Sequence, residues 1–264
     1  MKPFHKRKSI ALSLCVLLLF SFLSGCARDP SAGQAMAQVR SRGVLRVGVY
    51  SNIPGFSALQ NGEFLGLEAD IARSVGGAIM GDSSKVELVP VNNRTRTFFL
   101  DDLSLDLSIA MIEGQEGSAK YVFSSPYYTD TFAFMVKDGA YSSLSQLAGK
   151  KVGVFYNSTQ KTHLQNFIKE SEIPFELVDV SSYQEAKEKL LLESPQLDAF
   201  CCETGALKNQ LSSGLSLLSE GFGEINYCIA GLIANQDLIT LATQKLEAMR
   251  ESGELTQLIQ ENGL

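Results

Sequence analysis

The globular pattern starts at residues 45–49, Leu-Arg-Val-Gly-Val, where apolar side chains alternate as in a half-buried β-strand. Apolar residues at helical spacing follow over 67–78. A second strand is predicted at 86–91, a short helix at 97–103 and a buried strand at 105–111. Strands that alternate with helices in this way predict a parallel sheet with helices on its faces.

The same alternation returns in the second half of the chain. Strands are predicted at 131–137, 151–155, 175–180, 199–202 and 227–234, and helices at 158–169, 183–192 and 238–262, the last interrupted at Gly253. Residues 51–60 contain Pro54 and Gly55 and are predicted to form a loop. The sequence therefore predicts two α/β lobes, for which a chain of 264 residues is long enough.

The first 26 residues have the composition of a secretory signal. Basic side chains are concentrated in residues 2–8, an apolar run covers 10–22, and 23–26 read Leu-Ser-Gly-Cys. The run is shorter than the roughly 20 apolar residues of a transmembrane helix. The ending resembles the lipobox of bacterial lipoproteins. We therefore predict that 1–25 are removed and that Cys26 carries lipid chains such as palmitate; the alternative is an ordinary signal peptide.

Charge and cysteine content make several kinds of partner improbable. The formal net charge of −6 would fall to about −10 without residues 1–25, and an acidic surface repels the phosphates of nucleic acid. The body has three cysteines, Cys201, Cys202 and Cys228, an odd number that does not describe a disulfide framework and leaves one pairing open. With His163 as its one histidine and no Cys-x-x-Cys spacing, the body is predicted to hold no metal and no cofactor.

Seven short segments occur in the order and spacing of a known family. They read Leu-Arg-Val-Gly-Val at 45–49, Gly-Leu-Glu-Ala-Asp at 66–70, Val-Pro-Val-Asn at 89–92, Leu-Asp-Leu at 105–107, Phe-Ser-Ser-Pro-Tyr at 123–127, Leu-Ala-Gly-Lys-Lys-Val-Gly-Val at 147–154 and Leu-Asp-Ala at 197–199. Together they resemble the polar amino acid type of solute-binding protein that serves ABC importers, solute-binding protein family 3, over about residues 43–260.

The resemblance implies a fold of the periplasmic binding protein type II: two Rossmann-like α/β lobes joined by two hinge strands, with ligand in the cleft between them. It implies the following division of the chain: signal peptide 1–25, tether 26–42, lobe 1 at 43–128 plus 236–264, lobe 2 at 138–224, and hinge strands at 129–137 and 225–235.

Two places in lobe 2 are candidates for contact with the ligand. Ser158 and Thr159 begin a helix directly after a strand, and the free N–H groups of a helix start suit a carboxylate; the alternative is a plain helix cap. Glu203 follows the strand predicted at 199–202, where the resemblance implies an acid that holds the ligand's α-amino group. The alternative for Glu203 is a solvated acid at the end of a strand.

Lobe 1 departs from the family's pattern. The Arg that the family uses as a two-pronged holder of the α-carboxylate falls on Gly117 here, and Gly cannot replace a guanidinium. The Thr or Ser that usually precedes it falls near Glu113. Two expected aromatic positions are Ile53 and Asn93, although Phe56 is retained. The predicted ligand-binding residues are Phe56, Asn93, Met111, Glu113, Ser158, Thr159 and Glu203.

Three interpretations of the site remain open at this point. Glu113 and Glu203 could face each other across the cleft and select a cation. Alternatively an amino acid binds, and its carboxylate is held by Arg94, Arg96 or the helix start at 158–159. For Arg96 the resemblance favours a structural role at the start of a helix over contact with a ligand. In the third interpretation the small-molecule site has decayed, and the protein is a sensor or a surface lipoprotein.

The function implied by the resemblance is delivery of an amino acid or a cationic amine to an ABC permease. The carrier would be a monomeric, lipid-anchored protein outside the cytoplasm, on the periplasmic face or the cell surface. Tyr50, Tyr156 and Tyr227 are candidate stacking faces for a cation. A few proteins of this fold are cyclohexadienyl dehydratases, whose chemistry requires cationic groups for two carboxylates. The chain has few candidates for such groups and no Ser/His/Asp set. We therefore expect that the protein is not an enzyme.

Overall fold

The computed structural model describes residues 33–156 and 158–264. The predicted signal peptide 1–25 and Cys26 lie outside the described residues. Among the residues described, no helix is long and apolar enough to cross a bilayer.

The elements in chain order are α1 (Gln34–Arg42), β1 (Leu45–Tyr50), β2 (Asn52–Ile53), β3 (Ser57–Gln60), β4 (Glu63–Leu65), α2 (Leu67–Met80), β5 (Val86–Val91), α3 (Thr95–Asp101), β6 (Leu107–Glu113), β7 (Tyr121–Phe123), β8 (Tyr128–Lys137), β9 (Lys151–Phe155), α4 (Thr159–Ser171), β10 (Glu176–Val180), α5 (Tyr183–Leu191), β11 (Ala199–Glu203), α6 (Thr204–Lys208), β12 (Leu215–Leu217), β13 (Phe222–Leu232), α7 (Gln236–Ser252) and α8 (Glu254–Glu261), with short 3-10 helices at Ser83–Lys85, Leu144–Leu147 and Ile233–Asn235.

One twisted sheet runs through both lobes in the strand order β10-β9-β11-β8-β13-β6-β1-β5, with β12 beside β8 and β7 beside β13. The outer strands pair in parallel on each side: β9 with β10 and β11, and β1 with β5 and β6. The two long central strands, β8 and β13, pair antiparallel with each other and join the two parallel halves. This arrangement agrees with two α/β lobes and two connecting strands. The assignment of the hinges to residues 129–137 and 225–235 stays a prediction.

The carboxyl ends of the parallel strands face each other between the lobes: those of β1 and β6 in lobe 1 and those of β9 and β11 in lobe 2. An open α/β sheet binds ligands at such strand ends. On lobe 1, helix α2 packs its apolar stripe, Leu67, Ile71 and Val75, into the core. Full burial of each such side chain stabilises the fold by about 1.5–3 kcal/mol.

Gly66 fixes the start of helix α2 close to the cleft. Its φ is +123°, and a Cβ there would lie 2.4 Å from the carbonyl oxygen of Phe56, so a larger residue would force the backbone apart. The N–H groups of Leu67 and Glu68 donate to the carbonyls of Gly55 and Phe56. As a result, Glu68 lies under the floor of the cleft.

Two segments differ from the sequence-based expectation. Residues 52–65, predicted in part as a loop, form the small antiparallel sheet β2-β3-β4. Residues 34–42 of the predicted tether form helix α1, in which Ala35 and Val39 are buried against lobe 1. The Met36 N–H donates to the Asp237 carboxylate at 2.9 Å. Two buried apolar residues on one face of α1 therefore dock a segment whose composition is otherwise polar.

Candidate functional site

A cavity of about 510 Å³ lies between the two lobes. Its lobe 1 wall comes from the ends of β1 and β6 and from the turn before α3; its lobe 2 wall comes from the ends of β9, β10 and β11 and from the starts of α4 and α5. The lobe 1 wall includes Tyr50, Asn52, Ile53, Asn92, Asn93, Arg94, Arg96 and Met111, and the lobe 2 wall Phe155, Tyr156, Thr159, Gln160, Val180, Ser181, Ser182, Tyr183 and Glu203.

Glu203 is the only carboxylate among the described residues that line this cavity, and it is 3% exposed. Its Oε1 accepts a hydrogen bond from Gln160 Nε2 at 2.7 Å, and its Oε2 accepts one from the Cys202 thiol at 2.9 Å. The other amide atom, Gln160 Oε1, is buried and has no partner among the described residues. The carboxylate is therefore held in one orientation beside a second acceptor that lacks a donor.

The two predicted residues at the start of α4 have different roles in the structure. The Ser158 hydroxyl donates to the Phe155 carbonyl at 2.7 Å and accepts from the Lys161 N–H at 3.2 Å, so it serves as the helix cap. Thr159 is exposed and lines the cavity. Only Thr159 of this pair lies where a ligand would contact its side chain.

Arg96 and Arg94 both line the lobe 1 wall but are held differently. Arg96 is half-buried, and its Nη1 donates to the carbonyls of Ala110 at 2.8 Å and Met111 at 2.6 Å. The Arg94 side chain is exposed and makes no hydrogen bond or ion pair with a described residue. The anchored guanidinium is the more rigid of the two.

The backbone beside Arg96 has an unusual conformation. Met111 has φ of +46°, in the left-handed region that is uncommon for a residue with a side chain. The Met111 N–H donates to Oε1 of Glu68 at 2.7 Å, and the Tyr127 hydroxyl donates to the same oxygen at 2.6 Å. Glu68 is fully buried, which raises its pKa to about 7. The Glu68 carboxyl below the cavity thus fixes the turn at Met111, and the Met111 carbonyl anchors Arg96.

Tyr50 connects the two walls electrostatically. Its hydroxyl donates to Oδ1 of Asn93. Asn93 is one of the predicted ligand-binding residues, and it lies at the cavity wall. Burial raises the pKa of Tyr50 well above its usual range; Arg96 opposes that shift, whereas Glu68 and Glu203 add to it. Tyr50 is therefore a neutral hydroxyl within electrostatic range of both the guanidinium and the Glu203 carboxylate.

Three predicted ligand-binding residues do not line the cavity: Ser158, which caps helix α4, Phe56 and Glu113. Phe56 is fully buried, with its ring centroid 5.4 Å from that of Tyr128 and 5.8 Å from that of Tyr227, so it packs behind the site. Glu113 pairs with His163, and its Oε2 lies 3.1 Å from Nε2 of that residue. The structure therefore does not bring Glu113 and Glu203 together in the cavity. Of the predicted set, Asn93, Met111, Thr159 and Glu203 line it.

Sequence reasoning named Tyr156 on the aromatic face of lobe 2 but missed Phe155 and Tyr183. The rings of Phe155 and Tyr183 meet edge to face with centroids 4.9 Å apart, and both line the cavity. The Tyr156 ring at the rim is 67% exposed. Of the three predicted stacking tyrosines, Tyr50 and Tyr156 line the cavity, whereas Tyr227 is buried behind it. Lobe 1 thus has Ile53 and Asn93 where the resemblance implies aromatic residues, and the opposite wall of the cavity carries aromatic residues.

Three thiols and one carboxyl on or near the central strands are buried. Cys201, Cys202 and Cys228 are free thiols, and burial raises the pKa of each. Asp130, on β8, accepts hydrogen bonds from the N–H groups of Thr131 and Gly205, and burial raises its pKa to about 6. In the described part of the chain, no group of three or more His, Cys, Asp or Glu residues could hold a metal ion.

A family model described as bacterial extracellular solute-binding proteins, family 3, matches residues 45–263. The chain belongs to this family. The match covers both walls of the cavity and both central strands, and it confirms the family predicted from the seven sequence segments.

Named relatives of this family 3 protein have low sequence identity to it. The ABC transporter glutamine-binding protein GlnH of Bacillus subtilis is 24% identical over 267 residues, 96% of each chain. The glutamate/glutamine/aspartate/asparagine-binding protein BztA of Rhodobacter capsulatus is 25% identical over 172 residues, which are 63% of this chain and 51% of BztA. The chain spans between 51% and 58% of the length of the first curated relatives that it matches.

Solved structures share the two-lobed fold. An ancestral arginine-binding protein bound to arginine superposes with a TM-score of 0.69 at 27% identity, over 83% of this chain and 98% of that one. The likeness confirms the predicted fold class, an α/β periplasmic binding protein fold of two lobes.

Proposed function

We propose that this family 3 protein is the solute receptor of an ABC importer and that its ligand is an α-amino acid. One observation carries the proposal: a single cavity between the lobes has a buried carboxylate, Glu203, on one wall and the arginine pair Arg94 and Arg96 on the other. An α-amino acid has one ammonium and one carboxylate, so its two charges match the two walls.

The ammonium of the ligand would bind Glu203 and Gln160. A buried carboxylate without a cation is costly, whereas charge-assisted hydrogen bonds to an ammonium are about twice as strong as neutral ones. Gln160 Oε1 offers a further acceptor. The ligand side chain would then lie against Phe155, Tyr156 and Tyr183, in keeping with polar groups that orient a ligand inside a partly apolar pocket.

The comparisons support the same class of ligand. GlnH is named for glutamine, BztA for four amino acids, and the ancestral protein was solved with arginine. These names differ in the side chain and agree in the α-amino acid. The cation-selective interpretation receives less support, because Glu113 lies outside the cavity lining and Glu203 is the one acid there among the residues that the structure describes.

We further propose that the protein is a monomer without catalytic activity, held outside the cytoplasm by lipid on Cys26. In this proposal closure of the lobes around the amino acid joins their outer faces into a surface that the permease recognises. Catalysis by elimination, as in cyclohexadienyl dehydratases, would need a general acid as well as cationic groups for two carboxylates. Glu203, the one acid among the described cavity residues, is assigned here to the ligand's ammonium.

The test is a thermal-shift panel of the full chain in detergent against the twenty common amino acids. A ligand that binds the folded state stabilises it, by about 2.7 kcal/mol at a hundredfold excess over its dissociation constant. We expect at least one amino acid to raise the melting temperature, and Glu203→Gln to abolish that rise. Glu188→Gln, an exposed acid on helix α5 outside the cavity, is the matched control. A panel without any stabilising amino acid would contradict the proposal.

A further inference from the structure

We propose that Arg96, through its Nε–Nη2 edge, holds the carboxylate of the ligand in place of the guanidinium that the chain lacks at Gly117. This inference rests on the proposed function, because it names the group on the lobe 1 wall that receives the amino acid. Gly117 itself is exposed in a loop and does not line the cavity. The cavity needs a cation from another place in lobe 1.

The hydrogen bonds of Arg96 determine which of its edges is available. Nη1 is occupied by the carbonyls of Ala110 and Met111, and no described residue accepts a hydrogen bond from Nε or Nη2. The N–H groups of Nε and Nη2 are parallel, and this spacing matches the two oxygens of a carboxylate. The anchoring thus leaves free the edge that is suited to a two-pronged bond.

The anchor is built from groups that are themselves fixed. The Met111 carbonyl is directed at Arg96 by a left-handed backbone conformation, with φ of +46°. That conformation is held by the N–H of Met111 on the buried Glu68, whose Oε1 also accepts from Tyr127. Backbone strain of this kind persists only where the surroundings over-determine it, and it is concentrated at functional sites. The strain at Met111 is accounted for by its task of aligning the guanidinium.

Arg94 is the competing candidate, and its environment disfavours it. Its side chain is exposed and has no described partner, so binding would have to immobilise a long, flexible side chain. Arg96 has already lost that freedom on folding. Less entropy is therefore lost when Arg96 binds the carboxylate.

The experiment compares the two arginines in the full chain by calorimetry. The probes are the amino acid that binds wild-type protein most tightly among the twenty common ones, and its α-carboxamide, which keeps the ammonium and side chain but removes the carboxylate charge. Wild-type protein should prefer the acid by about 10- to 100-fold, the value of a charge-assisted pair of bonds. Arg96→Gln should reduce this preference to within about threefold, and Arg94→Gln, at the competing candidate, should reduce it less. Arg73→Gln changes an arginine of helix α2 outside the cavity lining; it is the control and should retain the preference.

Arg96→Lys keeps the charge without the parallel N–H groups and should lose at least about tenfold in affinity for the acid. If Arg96→Gln does not fold, Arg96→Lys alone tests the inference. Retention of the preference in both folded Arg96 variants, or its loss in Arg94→Gln alone, would overturn the inference while the proposed function stands. Failure of all twenty amino acids to bind wild-type protein would overturn both.

Discussion

Glu113 Oε2 and His163 Nε2 lie 3.1 Å apart and join the carboxyl end of β6 in lobe 1 to helix α4 in lobe 2. The His163 ring also packs against Phe132 of strand β8, with centroids 4.9 Å apart and the ring planes tilted by 31°. The pair therefore lies beside a connecting strand, outside the cavity lining. A residue predicted to bind the ligand instead contacts the other lobe directly.

The first prediction separates Glu113 from Glu203. Both partners of the Glu113 pair are about one-third exposed, and a pair of this kind contributes about 0–1 kcal/mol. We expect Glu113→Gln to change the affinity for the amino acid ligand by less than about fivefold. Glu203→Gln should abolish binding in the same calorimetric titration. Equal losses in the two variants would indicate that Glu113 contacts the ligand after all.

The second prediction concerns the pH dependence of stability through Glu68. Burial raises the pKa of this carboxyl from 4.5 to about 7, so between these values the folded state binds the proton that the unfolded state has released. The free energy of unfolding should therefore fall as pH rises through this window, with a contribution from Glu68 of about 3 kcal/mol. Asp130, with its pKa raised to about 6, acts in the same direction.

Urea unfolding at pH 5 and pH 8 measures this loss. Glu68→Gln keeps an oxygen acceptor for Met111 and Tyr127 but does not titrate, so it should lose less stability over the interval than wild-type protein. Glu87→Gln alters an exposed acid of strand β5 and is the control. An undiminished loss in Glu68→Gln would show that the buried carboxyl does not titrate as its burial implies.

The third prediction tests Gln160. Gln160→Met retains the length of the side chain but removes the acceptor Oε1 and the donor that orients Glu203. Loss of these bonds should weaken binding by about tenfold, and N-methylation of the ligand should cost less in the variant than in wild-type protein. Gln184→Met is matched, because Gln184 also begins a helix and donates to a glutamate, Glu188, but on the surface. Strictly additive effects would mean that Gln160 does not touch the ammonium.

The fourth prediction concerns the proposed anchor. Cys26→Ala should move the protein from the membrane fraction to the soluble fraction, since lipid chains attached there would hold it on the bilayer. Cys15→Ala changes a cysteine inside the apolar run of the signal and should leave the protein on the membrane. Fractionation with an antibody measures both. Continued sedimentation of Cys26→Ala with membranes would argue against a lipid at this position.

The fold was largely predictable because it depends on periodicity. The strands at Leu45–Tyr50, Val86–Val91 and Lys151–Phe155 alternate with apolar helices, and a local pattern of this kind defines a parallel sheet. The break of the last helix at Gly253, where φ is +81°, was equally local. Helix α1 was missed, because its buried face consists of only Ala35 and Val39.

The site was predictable only in part. Glu203 lies at the cavity wall because it is the last residue of the buried strand β11, and its contact with the ligand stays a prediction. The anchoring of Arg96 depends on carbonyls 14 and 15 residues away and on the left-handed backbone of Met111, and backbone contacts of this kind leave no pattern in side-chain sequence. Phe155 and Tyr183 on the aromatic face of lobe 2 were missed for a related reason, since their rings meet only when two strands of the sheet are adjacent.

A crystal structure of the complex with the most stabilising amino acid would show whether an α-amino acid binds between Glu203 and Arg96. We expect the ligand's ammonium within hydrogen-bonding distance of Glu203 and Gln160, and its carboxylate on Nε and Nη2 of Arg96. A carboxylate held by Arg94 or by the helix start at Thr159, with Arg96 untouched, would contradict the assignment of Arg96. A ligand bound outside this cavity would contradict the account as a whole.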